Sequence, residues 1–401
     1  MGGFDFTTLG ALLLVASLVA VVTRRINLPY SVGLVAAGIA LALAPFQMEV
    51  PLTPELIYFV FLPPLVFEAA IQLRWRPLWR DAPLLLMLVT VGVVLAAATV
   101  AVGMHWWIGW SWIGAALFGM LIAATDPVAV IAAFKQMKVD HRLHLLVESE
   151  SLLNDGVAAV GFAILLAIAG GEAATAGVIG TKLFITVVGG IIAGAAVAVP
   201  VILFAGSTTD RLVETTLTVV AAFGSFLLAE HFHASGVLAT LTAGLIVGNY
   251  GFLGAIAPDS RQSVLDIWEY FAFLVNSLIF IMIGVGEARM PILQVLEAAG
   301  AATLLSLAGR AIAVYPVMSA FRGTRWAVPW AFKHVLFWGG LRGALALALA
   351  LSLPASIPER DTIIVVAFAV VAFSIFVQGI SMPWLINRLG LIVPERHDPM
   401  A

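Results

Sequence analysis

The sequence predicts an all-α polytopic membrane protein of about 13 transmembrane helices. It is expected to be built as two inverted six-helix repeats whose broken helices, spans 5 and 12, cross near the midplane. Three observations predict this: a composition too apolar to face water, basic residues that alternate loop by loop, and helix breakers at matching places in two apolar runs. The chain has 401 residues, 62% of them hydrophobic and only 11% charged, with mean hydropathy +1.07. A soluble globular protein carries about 25% charged and about 45–50% apolar residues, so the polar surface here is too small for a water-exposed fold. A net charge of −3 points away from nucleic acid. The sequence has no cysteine, which excludes disulfides, thiolate metal sites and cysteine nucleophiles. Met1 to Thr8 offers no basic n-region, and no small-residue cleavage site stands out. The first apolar run is therefore expected to be a retained helix.

A span needs about 20 apolar residues. The candidates are roughly 6–22, 30–45, 52–72, 82–104, 111–134, 146–169, 178–205, 211–230, 235–253, 263–286, 291–320, 331–353 and 361–387. Many are rich in Gly and Ala, which lets helices approach closely in lipid. Glu230-His-Phe-His-Ala-Ser-Gly236 reads as the turn between the eighth and ninth. His105-Trp-Trp-Ile-Gly-Trp-Ser-Trp112 reads as an interfacial aromatic belt.

Loop charges orient these spans. Alternate loops hold Arg24 and Arg25; Arg74, Arg76 and Arg80; Lys135, Lys138 and Arg142; Arg211; Arg261; Arg322, Arg325 and Lys333; and Arg388 and Arg396. The other loops hold only Lys182, Arg289 and Arg360. Basic residues concentrate on the cytoplasmic side. The alternation therefore places the C-terminus in the cytoplasm and the N-terminus outside. The fifth span is interrupted at Ala123-Ala-Thr125-Asp126-Pro127, and the twelfth at Gly339-Gly340-Leu-Arg342-Gly343. Pro and Gly are the residues that break helices. Broken helices at matching positions of inverted repeats mark the midplane substrate sites of secondary transporters.

The sixth span opens with Glu150-Ser-Leu-Leu-Asn154-Asp155-Gly156. At helical spacing, Ser151 with Asp155 and Glu150 with Asn154 form two neighbouring stripes. An apolar helix does not need such groups, and an ionisable residue in a membrane is a functional-site hypothesis by default. Pro127 frees carbonyls near Thr125, and Asp126 adds charge beside them. The plainer reading is a proline kink with Asp126 bonded to exposed amides. Carboxylate, hydroxyl and carbonyl oxygens suit a hard monovalent cation. A carboxylate at Asp155 that holds either a proton or a cation, but not both, is the minimum chemistry of an antiporter. Glu68, late in the third span, is either a further ligand or a group that snorkels to the interface. Arg342 and Arg310 lie within spans and need partners. Arg342 is expected to pair with Glu150 as a structural ion pair, and Arg310 is a candidate to neutralise an aspartate when no cation is bound. His141 and His144 read as interfacial histidines or as pH sensors. Asn276 and Ser235 read first as packing polar groups.

These segments, together with Phe61-Leu-Pro-Pro-Leu-Val-Phe-Glu68, Ala243-Gly244-Leu-Ile-Val-Gly-Asn249 and Phe273-Leu-Val-Asn276-Ser, resemble the cation:proton antiporter-1 family of NhaP-type sodium/proton antiporters. The motifs come in the family's order and cover nearly the whole chain. The resemblance implies a homodimer in which a core bundle shifts, elevator-like, against a dimerisation scaffold. By position, the scaffold is residues 1–81 and 170–290, the core is 82–169 and 291–390, and 391–401 is a short cytoplasmic tail. It implies that Asp155 carries cation and proton, and that Ser151, Thr125 and Glu68 join it in holding Na⁺. It implies that Asp126 and Asn154 shape the site, and that Glu150 pairs with Arg342. Asn154, where electrogenic relatives have Asp, implies electroneutral exchange.

The expected function is thus exchange of cytoplasmic Na⁺ or Li⁺ for external H⁺ in a prokaryotic inner membrane, with no cofactor and no enzymatic activity. The near alternative is K⁺/H⁺ exchange on the same fold. An intramembrane aspartyl protease would also place two aspartates in neighbouring spans, but it carries a Gly-x-Gly-Asp segment, which is missing here. A cation channel would need a fourfold filter-like segment, and none is found.

Overall fold

In the computed structural model, residues 6–26, 28–44, 53–173, 175–254 and 256–392 are described. They form α1 Phe6–Arg25, α2 Tyr30–Leu43, α3 Leu56–Gln72, α4 Trp75–Ile108, α5 Trp112–Ala123, α6 Val128–Met137, α7 His141–Ala169 and α8 Ala176–Ala205. There follow α9 Arg211–His231, α10 Gly236–Asn249, α11 Pro258–Arg289, α12 Leu296–Ala320, α13 Trp330–Trp338, α14 Ala344–Leu351 and α15 Arg360–Arg388. Among the described residues, nine helical segments are long and apolar enough to cross a membrane, and α2, α3 and α10 are shorter apolar helices. The all-α, multi-pass class read from composition is what the chain adopts. The stretch 45–52 at the second and third predicted spans, and 393–401 of the predicted tail, lie outside the described residues.

Helix ends follow their capping chemistry. Ser111, Asp140, Asp210 and Ser235 each accept backbone N–H bonds at the start of α5, α7, α9 and α10. Ser235 and Glu230 build the expected turn between α9 and α10: Glu230 accepts from the Gly236 amide at 3.0 Å and from the Tyr58 hydroxyl at 3.1 Å. At one end of the bundle α4, α7 and the segment after α12 are stitched together. Arg142 bonds Asp81 at 2.7 Å and the Ala327 carbonyl at 3.1 Å, and Trp326 donates to the Arg80 carbonyl at 2.9 Å. At the other end Glu359 clamps the backbone N–H and the hydroxyl of Ser111, both at 2.8 Å.

Close helix crossings depend on glycine. Where α2 meets α11, a Cβ on Gly38 would lie 2.2 Å from the Ile281 carbonyl, and one on Gly284 would lie 2.2 Å from that of Val35. Lipid supplies little hydrophobic drive between helices, so such backbone approach carries much of the packing. Gly38→Val is expected to cost about 1–3 kcal/mol through overpacking, read as a lower thermal midpoint in detergent. Gly300→Ala, whose new Cβ meets nothing within 4 Å, is the control and is expected to leave the midpoint unchanged or raise it.

Candidate functional site

The two interruptions read from sequence meet inside the bundle. Residues 124–127 leave the helix between α5 and α6, and residues 340–343 do so between α13 and α14. The Asp126 amide donates to the Leu341 carbonyl at 2.8 Å, tying the two breaks together. Each break exposes backbone groups that a continuous helix would pair internally. Charged side chains meet these ends with matching sign. Arg342 donates to the Ala123 and Ala124 carbonyls at 3.0 and 3.1 Å, closing the C-terminus of α5. Arg310 donates to the Leu336 carbonyl at 3.1 and 2.9 Å, in the last turn of α13. Asp126 accepts from the Val128 amide at 2.9 Å, capping α6. Its other oxygen lies against Gly343 at the start of α14, so close that a Cβ there would fall 2.0 Å away. Two cations thus sit at carbonyl ends, and one anion between two amide ends, as helix dipoles favour.

The arginine assignment differs from expectation. Glu150 pairs with Arg310, in two bonds of 2.7 and 2.9 Å, and not with Arg342. Arg342 is occupied by the α5 carbonyls and by the Ser306 hydroxyl, at 3.0 Å from Nη2. A guanidinium standing next to two unpartnered backbone carbonyls satisfies them first, which leaves the buried Glu150 to the arginine on α12. Arg310 is therefore engaged by Glu150 rather than by an aspartate. All three charges are nearly inaccessible, at 2% exposure for Glu150, 6% for Arg310 and 4% for Arg342.

The two stripes of α7 dock on the first break. Ser151 Oγ lies 2.9 Å from Thr125 Oγ1 and also donates to the Thr125 carbonyl. Asn154 Nδ2 reaches Thr125 Oγ1 and Glu150 Oε1, each at 3.3 Å. The Thr125 amide bonds the Asp155 carboxylate, whose Oδ1 is buried and has no partner. Asp155, Asp126, Thr125 and Glu68 line one cavity of about 290 Å³. Ser151 and Asn154 stand behind Thr125, not in the wall. Glu68 is held by the Gln72 amide and faces the cavity.

Three charged wall residues, Glu148, Lys135 and Glu269, have no reading as ion-site groups from sequence. Glu148 lies two helical turns before Asp155 on the same face of α7, and Glu269 lies two turns before Asn276 on α11. That spacing was the available signal. Lys135 and Glu148 also wall a second cavity of about 170 Å³ with Arg74, His141 and His144. The polar lining thus continues to the bundle end that carries the stitched segments. His144 stands 3.7 Å from Glu148. Among the described residues, no three His, Cys, Asp or Glu side chains gather as a metal site.

Removing one member of a buried ion pair costs about 3–5 kcal/mol, whereas replacing both by apolar residues is often neutral. Arg310→Met and Glu150→Leu are each expected to destabilise strongly in detergent melts, with the double variant close to the parent. Equal additive losses would contradict the pairing.

Two comparisons with known proteins agree on a family, and a third agrees on the fold. Residues 11–388 match the family model described as sodium/hydrogen exchanger, transmembrane. The chain is 37% identical over 372 residues to the Na(+)/H(+) antiporter ApNhaP of Aphanothece halophytica, covering 91% of this chain and 70% of that protein. It is 31% identical to the Na(+)/H(+) antiporter NhaH of Halobacillus dabanensis, covering 98% of this chain and 100% of that one. The fold is similar to that of the sodium proton antiporter MjNhaP1 from Methanocaldococcus jannaschii at pH 8, with TM-score 0.78 and 20% identity over 95% of this chain and 97% of that one. A match over nearly the whole chain, to the family model and to full-length relatives, makes this protein a member of the sodium/hydrogen exchanger family.

Proposed function

We propose that the protein is a secondary-active antiporter that exchanges cytoplasmic Na⁺ or Li⁺ for external H⁺ at Asp155, one for one. The observation that carries this reading is the buried, unpartnered Oδ1 of Asp155, on a cavity shared with Asp126, Thr125 and Glu68. An oxygen so placed takes a proton or a cation, and binding either excludes the other. The antiporter names of the relatives support Na⁺ as the cation. Thr125, Asp126 and Glu68 complete the oxygen set, while Ser151 positions Thr125. Asn154 is neutral and serves as a strut between Glu150 and Thr125. With one titrating carboxylate exchanging one cation, each cycle moves no net charge.

In this reading the cavity is the cytoplasmic vestibule, since its wall runs out to loops rich in Arg and Lys. The C-terminus is cytoplasmic, the N-terminus external, and the membrane is a prokaryotic inner membrane. The scaffold, 1–81 and 170–290, pairs two copies as a homodimer, and the core, 82–169 and 291–390, shifts against it. Apolar contact between the two bodies supports a sliding surface: Gly156 lies against Leu238, Gly379 against Val32, and Gly286 against the Phe368 ring.

Vesicles loaded with a pH dye test this. Added Na⁺ is expected to collapse an imposed proton gradient, and Asp155→Asn to abolish the response. Exchange that survives in Asp155→Asn would sink the assignment. An imposed membrane potential is expected to leave the initial rate unchanged, and a clear dependence would exclude one-for-one exchange. Ser151→Ala, which frees Thr125, is expected to raise the half-saturating Na⁺ concentration about tenfold while activity persists. Li⁺ is expected to substitute for Na⁺, and a stronger response to K⁺ would replace Na⁺ with K⁺ as the substrate.

A further inference from the structure

α11 carries one polar stripe that the site accounts for at only one end. At about 100° per residue, Glu269, Asn276 and Glu287 point within about 20° of one another. Glu269 and Asn276 line the cavity. Beyond Asn276 the same side of the helix is filled by Phe280 and Ile283, at 3% and 0% exposure. Glu287 follows, about 16 Å along the axis from Asn276. It is 6% exposed, and its Oε1 has no hydrogen-bond partner. Packing alone gives no reason to bury a carboxylate unpaired, because desolvation without a partner is unfavourable.

The surroundings place Glu287 beside the contact between the proposed scaffold and core. Its neighbour Gly286 abuts the Phe368 ring of α15, where an added Cβ would lie 2.8 Å from the ring edge. α15 also carries Ser374, which accepts from the Arg342 amide at 3.0 Å, so it is joined to the broken helices. The ionisable groups at this end of the packed helices are Glu55 on the approach to α3, Glu230 and His231 on α9, Arg289 on α11, and Arg360 and Asp361 on α15. Glu230 is held by Tyr58 and Gly236, and Arg360 by Asp361 and the Leu353 carbonyl. None of these groups hydrogen-bonds Glu287 Oε1.

We infer that this stripe is the second access route to Asp155, sealed here by Phe280 and Ile283, with Glu287 at its mouth. It is a positioning residue: it collects the small cation or proton that arrives from the face opposite the cavity and passes it inward. This rests on the exchange reading above and adds the route for the other half of the cycle. When α15 slides along α11, Glu287 is uncovered and the route opens.

Two measurements on the full chain in oriented vesicles test it. Glu287→Gln is expected to raise the half-saturating Na⁺ concentration about tenfold when Na⁺ is supplied at the face opposite the cavity. The maximal rate and the value at the cavity face are expected to stay unchanged, and Glu287→Asp to restore the parent behaviour. Because the chain has no cysteine, Glu287→Cys carries a single thiol. A charged, membrane-impermeant maleimide should label it from that face, several-fold faster under one ion gradient than under the opposite one. Unchanged half-saturation at both faces, or no labelling under either gradient, overturns the inference. Parent vesicles that show no exchange would instead defeat the function proposed above. Glu287→Cys labelling and Glu287→Asp transport remain decisive should Glu287→Gln fail to fold.

Discussion

The structure depends on how two broken helices are made tolerable in a medium that cannot solvate them. Inside a bilayer every free backbone amide and carbonyl must find a partner within the protein. Four half-helix ends meet here, and side-chain charge answers each of them: Arg342 at the end of α5, Arg310 at the end of α13, and Asp126 between the starts of α6 and α14. Glu150 then balances Arg310. With these demands met, the acidic oxygen beside the breaks that stays buried without a partner is Asp155 Oδ1. The site is what the neutralisation of the breaks leaves over.

That ordering explains what could be read from sequence and what could not. Pro127, the glycines at 339, 340 and 343, and the polar stripes of α7 announce breaks and a buried site, because each residue type is out of place in an apolar helix. The meeting of the two breaks followed from their matching positions in the repeats. The partner of Glu150 did not follow. Arg310 and Arg342 are both single buried cations in apolar runs, and only the position of the orphan carbonyls of α5 decides that Arg342 is already taken. Lys135, Glu148 and Glu269 were missed for a different reason. They sit near span ends, where charge is ordinary, and only their facing across a cavity gives them meaning.

Ser151 and Asn154 illustrate a further limit. Sequence places them beside Asp155 on neighbouring stripes, and the family resemblance implies Ser151 as a direct ligand and Asn154 as a group that shapes the site. In the structure both turn to Thr125, so they fix the break rather than line the cavity. A hydroxyl next to a kinked backbone finds a free carbonyl nearer than any ion. In the proposed exchange they act on the cation through the orientation of Thr125, whose carbonyl and hydroxyl they hold.

The same hydrogen bonds bear on the proposed shift of core against scaffold. Around the site, long-range side-chain bonds link α5, α7, α12, α13 and α15 to one another: Thr125 to Ser151, Glu150 to Arg310, Arg342 to Ser306 and Ser374, and Gln378 to the Trp338 carbonyl at 3.0 Å. Within the proposed scaffold, Tyr30 bonds Ser277 at 2.8 Å, Tyr58 bonds Glu230, and Asn249 bonds the Leu73 carbonyl at 2.9 Å. Where the proposed core and scaffold face each other, Gly156, Gly379 and Gly286 meet methyl groups and a ring, while the polar links Arg142 to Asp81 and Trp326 to Arg80 stand near the start of α4, where the two join. An apolar surface has no directional bonds to break and can shift without leaving polar groups unpaired. A carboxylate that carries a cation or a proton is neutralised in either state, so it can travel with the core through an apolar barrier. The bare anion cannot do so without a large desolvation cost. Coupling in the proposed exchange then needs no separate lock: the unloaded site is the one form that the barrier rejects.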